Sequence, residues 1–204
     1  MAPDRGRRPT PAATPRRTLR AVALALAAGT PLLLGGAPAG AAPGATVQHC
    51  VLDLDTRHQE CFDTFTDAVS TASGGRITDA PAAAVTAAQS PELRRETVAL
   101  AKDEAAVRAG SVIQGTFYDD TNYGGDSFTV YGEAPCEKND QVDYEYTFED
   151  AWQNRISSVQ PWAECWIWLY PEPGLGGDRD GPFKENTPDI GSYMNDRTRS
   201  VGFS

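Results

Sequence analysis

The chain has 204 residues, a formal net charge of −10 and four cysteines. That length is enough for one domain with some sequence left over. The acidic balance argues against nucleic acid and anionic membranes as partners, because both repel a negatively charged surface.

Residues 1–42 have the features of an export signal. Six arginines precede an apolar run over 21–34, and small residues with Ala-x-Ala-like spacing follow at Ala37, Ala39 and Ala41. This order is typical of a cleaved secretory signal, and the apolar run is too short for a convincing membrane span. Arg16-Arg17 also fits a twin-arginine signal, so the Sec and Tat routes both stay open. A disordered basic tail is the alternative interpretation.

Without the signal, the chain keeps 12 basic and 27 acidic side chains, a net charge of −15. We expect a secreted, extracellular monomer with no nucleic-acid partner and no membrane contact after signal removal. An even cysteine count in an oxidising compartment predicts two disulfides with three possible pairings. Proximity in sequence favours Cys50–Cys61 and Cys136–Cys165. Zinc binding is the weaker alternative, because the sequence contains no Cys-x-x-Cys pair.

Composition divides the exported part near Gly110. Residues 43–111 are Ala-rich and hold two of the 18 aromatic residues, whereas 112–204 hold the other 16. We therefore predict an α-rich segment or linker over 43–111 and a β domain over 112–204, since aromatic residues suit strands. Within 43–111, the sequence predicts a strand at 51–54 and a helix over 63–73. A second helix is predicted over 90–108, with Ser90 as N-cap and Pro91 in its first turn.

An internal repeat organises residues 112–204. The block 117–126 aligns without gaps on 169–178, and each block has a tyrosine, a polar turn and an apolar residue before Gly-Gly-Asp. Further along, 154–159 aligns on 196–201. The first copy carries ten extra residues between its blocks, within 132–152. One such unit cannot bury its apolar face alone, so we predict two copies stacked as a single sandwich.

The duplicated pattern of an aromatic hairpin followed by an Asn/Asp-rich segment resembles the βγ-crystallin family. The resemblance covers 112–204 and implies a mostly β fold, a two-Greek-key sandwich at the C-terminus preceded by a short α-containing or loosely ordered segment. It also implies a non-enzymatic binding or structural role. A secreted Streptomyces metalloproteinase inhibitor is a related member with two disulfides.

The resemblance further implies Ca²⁺ as a ligand, because the family binds it through carbonyls, carboxylates and a hydroxyl at the fifth position of the Asn/Asp-rich segment, all hard oxygen donors. Two positions depart from this pattern. Gln153 replaces the usual Asn or Asp, and Arg199 takes the place of the second hydroxyl, where its charge acts as a built-in counter-ion. We expect at most one degenerate site. Its candidate ligands are Asp119, Asn154, Ser157, Glu172, Asn195 and Asp196. In the alternative interpretation these segments only tie the Greek-key corners, with Ser158 and Ser200 buried.

Proteinase inhibition is the second functional hypothesis, with a secreted protease as partner. An inhibitor needs an exposed loop that loses little entropy on binding, and the disulfide-anchored insertion 132–150 is the candidate. Its acidic character suits a hydrophobic protease cleft poorly. The family's inhibitor also has a cysteine directly before its first hairpin, whereas Gly115-Thr116 stands there in this chain.

Catalysis is the least favoured class. The sequence contains no His-Glu-x-x-His, no Gly-x-Ser-x-Gly and no phosphate-binding loop. Both histidines, His49 and His58, precede the β domain, so a histidine-based site requires one of them to reach across the boundary near Gly110. We therefore expect no enzymatic activity.

Overall fold

A computed structural model describes residues 46–204, and all of them lie in one compact unit. The predicted export signal lies outside the described residues. The strands are β1 (His49–Asp53), β2 (Gln59–Phe62), β3 (Val112–Tyr118), β4 (Ser127–Gly132), β5 (Tyr144–Thr147), β6 (Ser158–Pro161), β7 (Ile167–Tyr170), β8 (Asp180–Phe183) and β9 (Ser200–Phe203). The helices are α1 (Phe65–Ala72), α2 (Ala84–Ala88), α3 (Pro91–Leu100) and α4 (Glu104–Arg108), with a 3-10 turn at Thr121–Tyr123. None of the helices within 46–204 combines the length and apolar character needed to cross a bilayer.

The strands form two sheets, with the orders β2-β1-β4-β3-β6 and β5-β9-β7-β8. The first Greek key contributes β3, β4 and β6 to one sheet, but its third strand, β5, pairs with β9 of the second Greek key. Reciprocally, Thr187 of the second key bridges to Val159 in β6 of the first. Each half therefore completes the sheet of the other, and the predicted two-Greek-key sandwich is confirmed.

The core lies between the two sheets. Phe117, Phe128 and Phe148 pack edge to face with ring centroids 5.4–5.5 Å apart, and Phe203 joins them from the opposite sheet. Gly115 is required here, because a Cβ atom at that position would lie 2.8 Å from the Phe203 ring. A cysteine therefore has no room at this position.

The segment before β3 extends the first sheet. β1 pairs in parallel with β4, with His49 opposite Ser127, and β2 pairs antiparallel with β1. The predicted strand at 51–54 and helix over 63–73 correspond to β1 and α1. Both disulfides, Cys50–Cys61 and Cys136–Cys165, are formed as sequence proximity favoured.

The single helix predicted over 90–108 is wrong, because α3 ends at Leu100 and α4 begins at Glu104. Ser90 caps α3 as expected, with its hydroxyl accepting from the Leu93 amide. The interruption is caused by Asp103, whose carboxylate accepts hydrogen bonds from the amides of Ala105 and Ala106. An aspartate bonded in this way starts a new helix and does not continue the preceding one.

Candidate functional site

The two Asn/Asp-rich segments lie against each other at the junction between the Greek keys. The amide of Asn154 donates to Thr198 O at 2.8 Å, and the amide of Asp196 donates to Ile156 O at 3.2 Å. Asn154 and Asp196 both adopt the left-handed backbone conformation, with φ of 59° and 54°. We call the turn 119–126 with segment 154–158 the first corner, and the turn 171–178 with segment 196–200 the second corner.

One serine ties each corner in the same way. Ser158 Oγ donates to Asp120 O at 2.7 Å and accepts from the Tyr123 amide at 3.0 Å. Ser200 Oγ donates to Glu172 O at 2.6 Å and accepts from the Leu175 amide at 3.0 Å. Both serines are fully buried. This is the tying role of the alternative interpretation, and the structure contains it in both copies.

The fifth position of the segment differs between the corners. Ser157 donates from its hydroxyl to Asp119 O at 2.7 Å, so one expected ligand is bonded to the main chain of another. In the second corner Arg199 stands there, and within residues 46–204 its buried Nε atom has no hydrogen-bond partner. Gln153, the other departure, donates its side-chain amide to Phe148 O and so braces the preceding loop.

The remaining expected ligands also make hydrogen bonds within the chain. Glu172 is exposed, and its main-chain carbonyl accepts a hydrogen bond from the Ser200 hydroxyl. The side-chain amide of Asn195 donates to the Asp196 carboxylate at 3.1 Å. Within the described part of the chain, no three His, Cys, Asp or Glu side chains cluster in a way that holds a metal ion. The Ser157 hydroxyl and the Glu172 carbonyl are thus both hydrogen-bonded within the chain.

A positive charge lies beside the expected ligands of the first corner, and sequence reasoning missed it. The Arg155 guanidinium contacts the carboxylates of Asp119 and Asp126. Burial raises the pKa of the Asp119 carboxyl, and the hydrogen bond and charge of Arg155 oppose that rise without cancelling it. The repeat alignment contained one indication of this difference. Asp119 aligns with Pro171 of the second copy, so only the first copy has a carboxylate at this position.

His49 does reach across the predicted boundary. Its Nδ1 atom lies 2.8 Å from Ser127 Oγ, because the parallel pairing of β1 and β4 places the two residues side by side. Burial lowers the pKa of His49, and the negative charge of Asp126 partly opposes this. Ser127 has no exposed surface, so a substrate cannot reach its hydroxyl. The pair is a buried structural contact.

The insertion of the first copy forms a braced loop over 133–143, between β4 and β5. Cys136 anchors it to Cys165, and the Glu137 amide donates to the Asp143 carboxylate at 2.8 Å across the base of its tip. Lys138 in the tip pairs with Glu164. All five tip residues, 137–141, are exposed. The exposed tip is thus anchored by three contacts: the disulfide, the Glu137–Asp143 hydrogen bond and the Lys138–Glu164 ion pair.

Solved structures of βγ-crystallin domains are similar to this chain over less than half of its length. A βγ-crystallin domain from Clostridium beijerinckii is 23% identical over 44% of this chain and 95% of its own, with a TM-score of 0.35. One from Flavobacterium johnsoniae is 19% identical over 44% and 92%, with a TM-score of 0.34. A clostrillin double mutant in complex with nickel is 22% identical over 44% and 95%, with a TM-score of 0.35.

These likenesses concern the fold alone. No protein-family profile matches the chain, and no curated protein sequence matches it.

Proposed function

We propose that this chain is a secreted, non-enzymatic binding protein built on a βγ-crystallin-like sandwich. The observation that carries the proposal is the pair of disulfides, because such bonds persist in oxidising compartments outside the cytosol. The predicted export signal, and the net charge of −15 that remains after its removal, also support an extracellular location.

Expression with the native N-terminus in an exporting bacterium tests this proposal. We expect a shortened, oxidised protein in the culture medium, with thiols that react with an alkylating reagent only after reduction and unfolding. A matched chain in which Arg16 and Arg17 are both replaced by lysine separates the two export routes, because the Tat route recognises the arginine pair. Full-length protein retained in the cytosol with reduced cysteines would contradict the proposal.

The braced loop favours protease inhibition as a second candidate function. A loop held by Cys136–Cys165 and by the bond between Glu137 and Asp143 loses little conformational entropy when a protease cleft binds it. Kinship with the metalloproteinase inhibitor stays a prediction, and Gly115 removes one of its expected features. The acidic residues beside the tip direct the search toward proteases with a basic cleft.

Purified mature protein is titrated against a thermolysin-like metalloprotease and against secreted serine proteases. The matched control is the double variant Cys136→Ala with Cys165→Ala, which frees the loop and changes only residue 136 within it. Inhibition by the native protein that weakens in the double variant supports the loop as the contact. Unchanged hydrolysis rates at micromolar native protein reject this second function.

A further inference from the structure

One nitrogen of Arg155 holds two carboxylates of the first corner together. Its Nη2 atom lies 2.5 Å from Asp119 Oδ2 and 2.9 Å from Asp126 Oδ2. The three side chains are 36%, 21% and 27% exposed, so water screens them only in part. Two carboxylates that close repel each other unless a cation lies between them.

The rest of the Arg155 side chain is fixed as well. Its Nη1 atom donates to Ala151 O at 3.0 Å, and its guanidinium carbon lies 4.8 Å from the centre of the Trp152 ring. Burial by itself would lower the pKa of Arg155, but the hydrogen bonds that its guanidinium donates to Asp126 and Asp119 reverse the effect and raise the pKa. The guanidinium is therefore a permanent cation in a defined position.

We propose that Arg155 is an internal substitute for a metal ion, and that it makes the first corner independent of Ca²⁺. The Nη2 atom contacts one oxygen of Asp119 and one of Asp126, so it supplies the positive charge that a cation held by these two carboxylates would supply. The nearby carbonyl of Asp119 is already bonded to the Ser157 hydroxyl. Three oxygen atoms of the kind that Ca²⁺ binds, two from carboxylates and one from a carbonyl, are thus already engaged within the chain.

The same ion pair extends to the N-terminal segment. Asp126 uses one carboxylate oxygen for Arg155 and the other, Oδ1, to accept from the Gln48 amide at 2.8 Å. The amide of Ser127 then donates to Gln48 O at 2.9 Å. Arg155 therefore orients the carboxylate that docks the start of β1 beside β4, so it is a positioning residue for that strand.

The second copy supplies a matched control at Arg197, which aligns with Arg155. Arg197 makes similar local contacts, a hydrogen bond from Nη1 to Tyr193 O at 2.9 Å and a guanidinium 5.2 Å from the centre of the Tyr193 ring. Its aligned partners are Pro171 and Asp178, and within residues 46–204 no ion pair involves it. Replacing Arg197 thus removes the same side chain without removing a bridge between carboxylates.

The test compares the native protein, Arg155→Gln and Arg197→Gln in Ca²⁺ titrations followed by melting temperature and calorimetry. Trp152 can sensitise luminescence from Tb³⁺, a Ca²⁺ analogue, bound in place of the guanidinium. We expect no saturable response from the native protein or from Arg197→Gln. We expect Arg155→Gln to melt lower without Ca²⁺ and to recover as Ca²⁺ is added, by a shift that grows with the logarithm of its concentration. Hydrogen exchange at the Gln48 amide should quicken in Arg155→Gln alone.

Three outcomes would overturn the proposal. Saturable Ca²⁺ binding by the native protein at the first corner would show that Arg155 does not take the place of the ion. A folded Arg155→Gln that ignores Ca²⁺ would show that the freed oxygens form no site. If Arg155→Gln does not fold in either buffer, Arg155→Lys decides, because it keeps the charge: it should fold and ignore Ca²⁺, and a Ca²⁺ response from it contradicts the proposal.

Discussion

Replacing both Cys136 and Cys165 by alanine should destabilise the protein more than the same replacement of Cys50 and Cys61. Alanine is the appropriate substitute, because Cys136 and Cys165 are only 9% and 2% exposed and serine would bury a hydroxyl. A disulfide restricts the unfolded chain, and the restriction grows with the length of the loop it closes. The separations are 29 residues for Cys136–Cys165 and 11 for Cys50–Cys61.

These separations correspond to losses of about 3.6 and about 2.8 kcal/mol in the free energy of unfolding on the chain-entropy relation. For a protein of this size, the larger loss lowers the melting temperature by roughly 7–14 °C. Urea unfolding of each double variant, followed by tryptophan fluorescence, measures both losses. The chain-entropy reasoning is refuted if the Cys50 and Cys61 variant loses as much stability as the other, or if the Cys136 and Cys165 variant loses less than about 1 kcal/mol.

Three further changes test the fold and its corners. Leu93→Ala, at a side chain 1% exposed, should cost about 2–5 kcal/mol in urea unfolding, and a near-neutral effect would show that α3 is not part of the core. Ser200→Ala should cost about 1–3 kcal/mol by leaving the Glu172 carbonyl and the Leu175 amide without their partner; Ser192→Ala, on an exposed residue, is the control. Burial lowers the pKa of His49 from 6.5, so as pH falls the unfolded chain takes up a proton at His49 at a higher pH than the folded chain does. The free energy of unfolding should therefore decrease as pH drops below about 6.5. His49→Gln should reduce this pH dependence, and an unchanged profile would contradict the assignment.

Local patterns in the sequence predicted the parts of the fold that depend on neighbouring residues. The repeat blocks predicted both hairpins, and the Tyr118 and Tyr123 rings do pack together 5.5 Å apart. Gly125 and Gly177 adopt positive φ, as the tight turns require. Disulfide pairing followed sequence proximity because each bond links strands or loops that are close along the chain.

Long-range partners were not predictable in the same way. The pairing of β1 with β4 joins residues 78 positions apart, and nothing in the β1 sequence specifies which strand it will join. The ion pairs of Arg155 span 36 and 29 positions. The expected Ca²⁺ motif is defined by its hydroxyl and amide positions, so it did not indicate a role for the arginine between them. Asp103 is a local signal for the end of one helix and the start of the next. It was missed because the seven-residue spacing of Leu93 and Leu100 favoured one continuous helix.

The parallel docking of β1 beside β4 has a consequence for the order of folding. A chain made from its N-terminus presents β1 and β2 early, yet β1 has no partner on its other side until residue 131 has emerged. The Cys50–Cys61 bond needs only this hairpin, so it can close first and hold two strands in register while they wait. Oxidation would then set the template on which the first Greek key assembles, and reducing conditions during synthesis should lower the yield of folded protein.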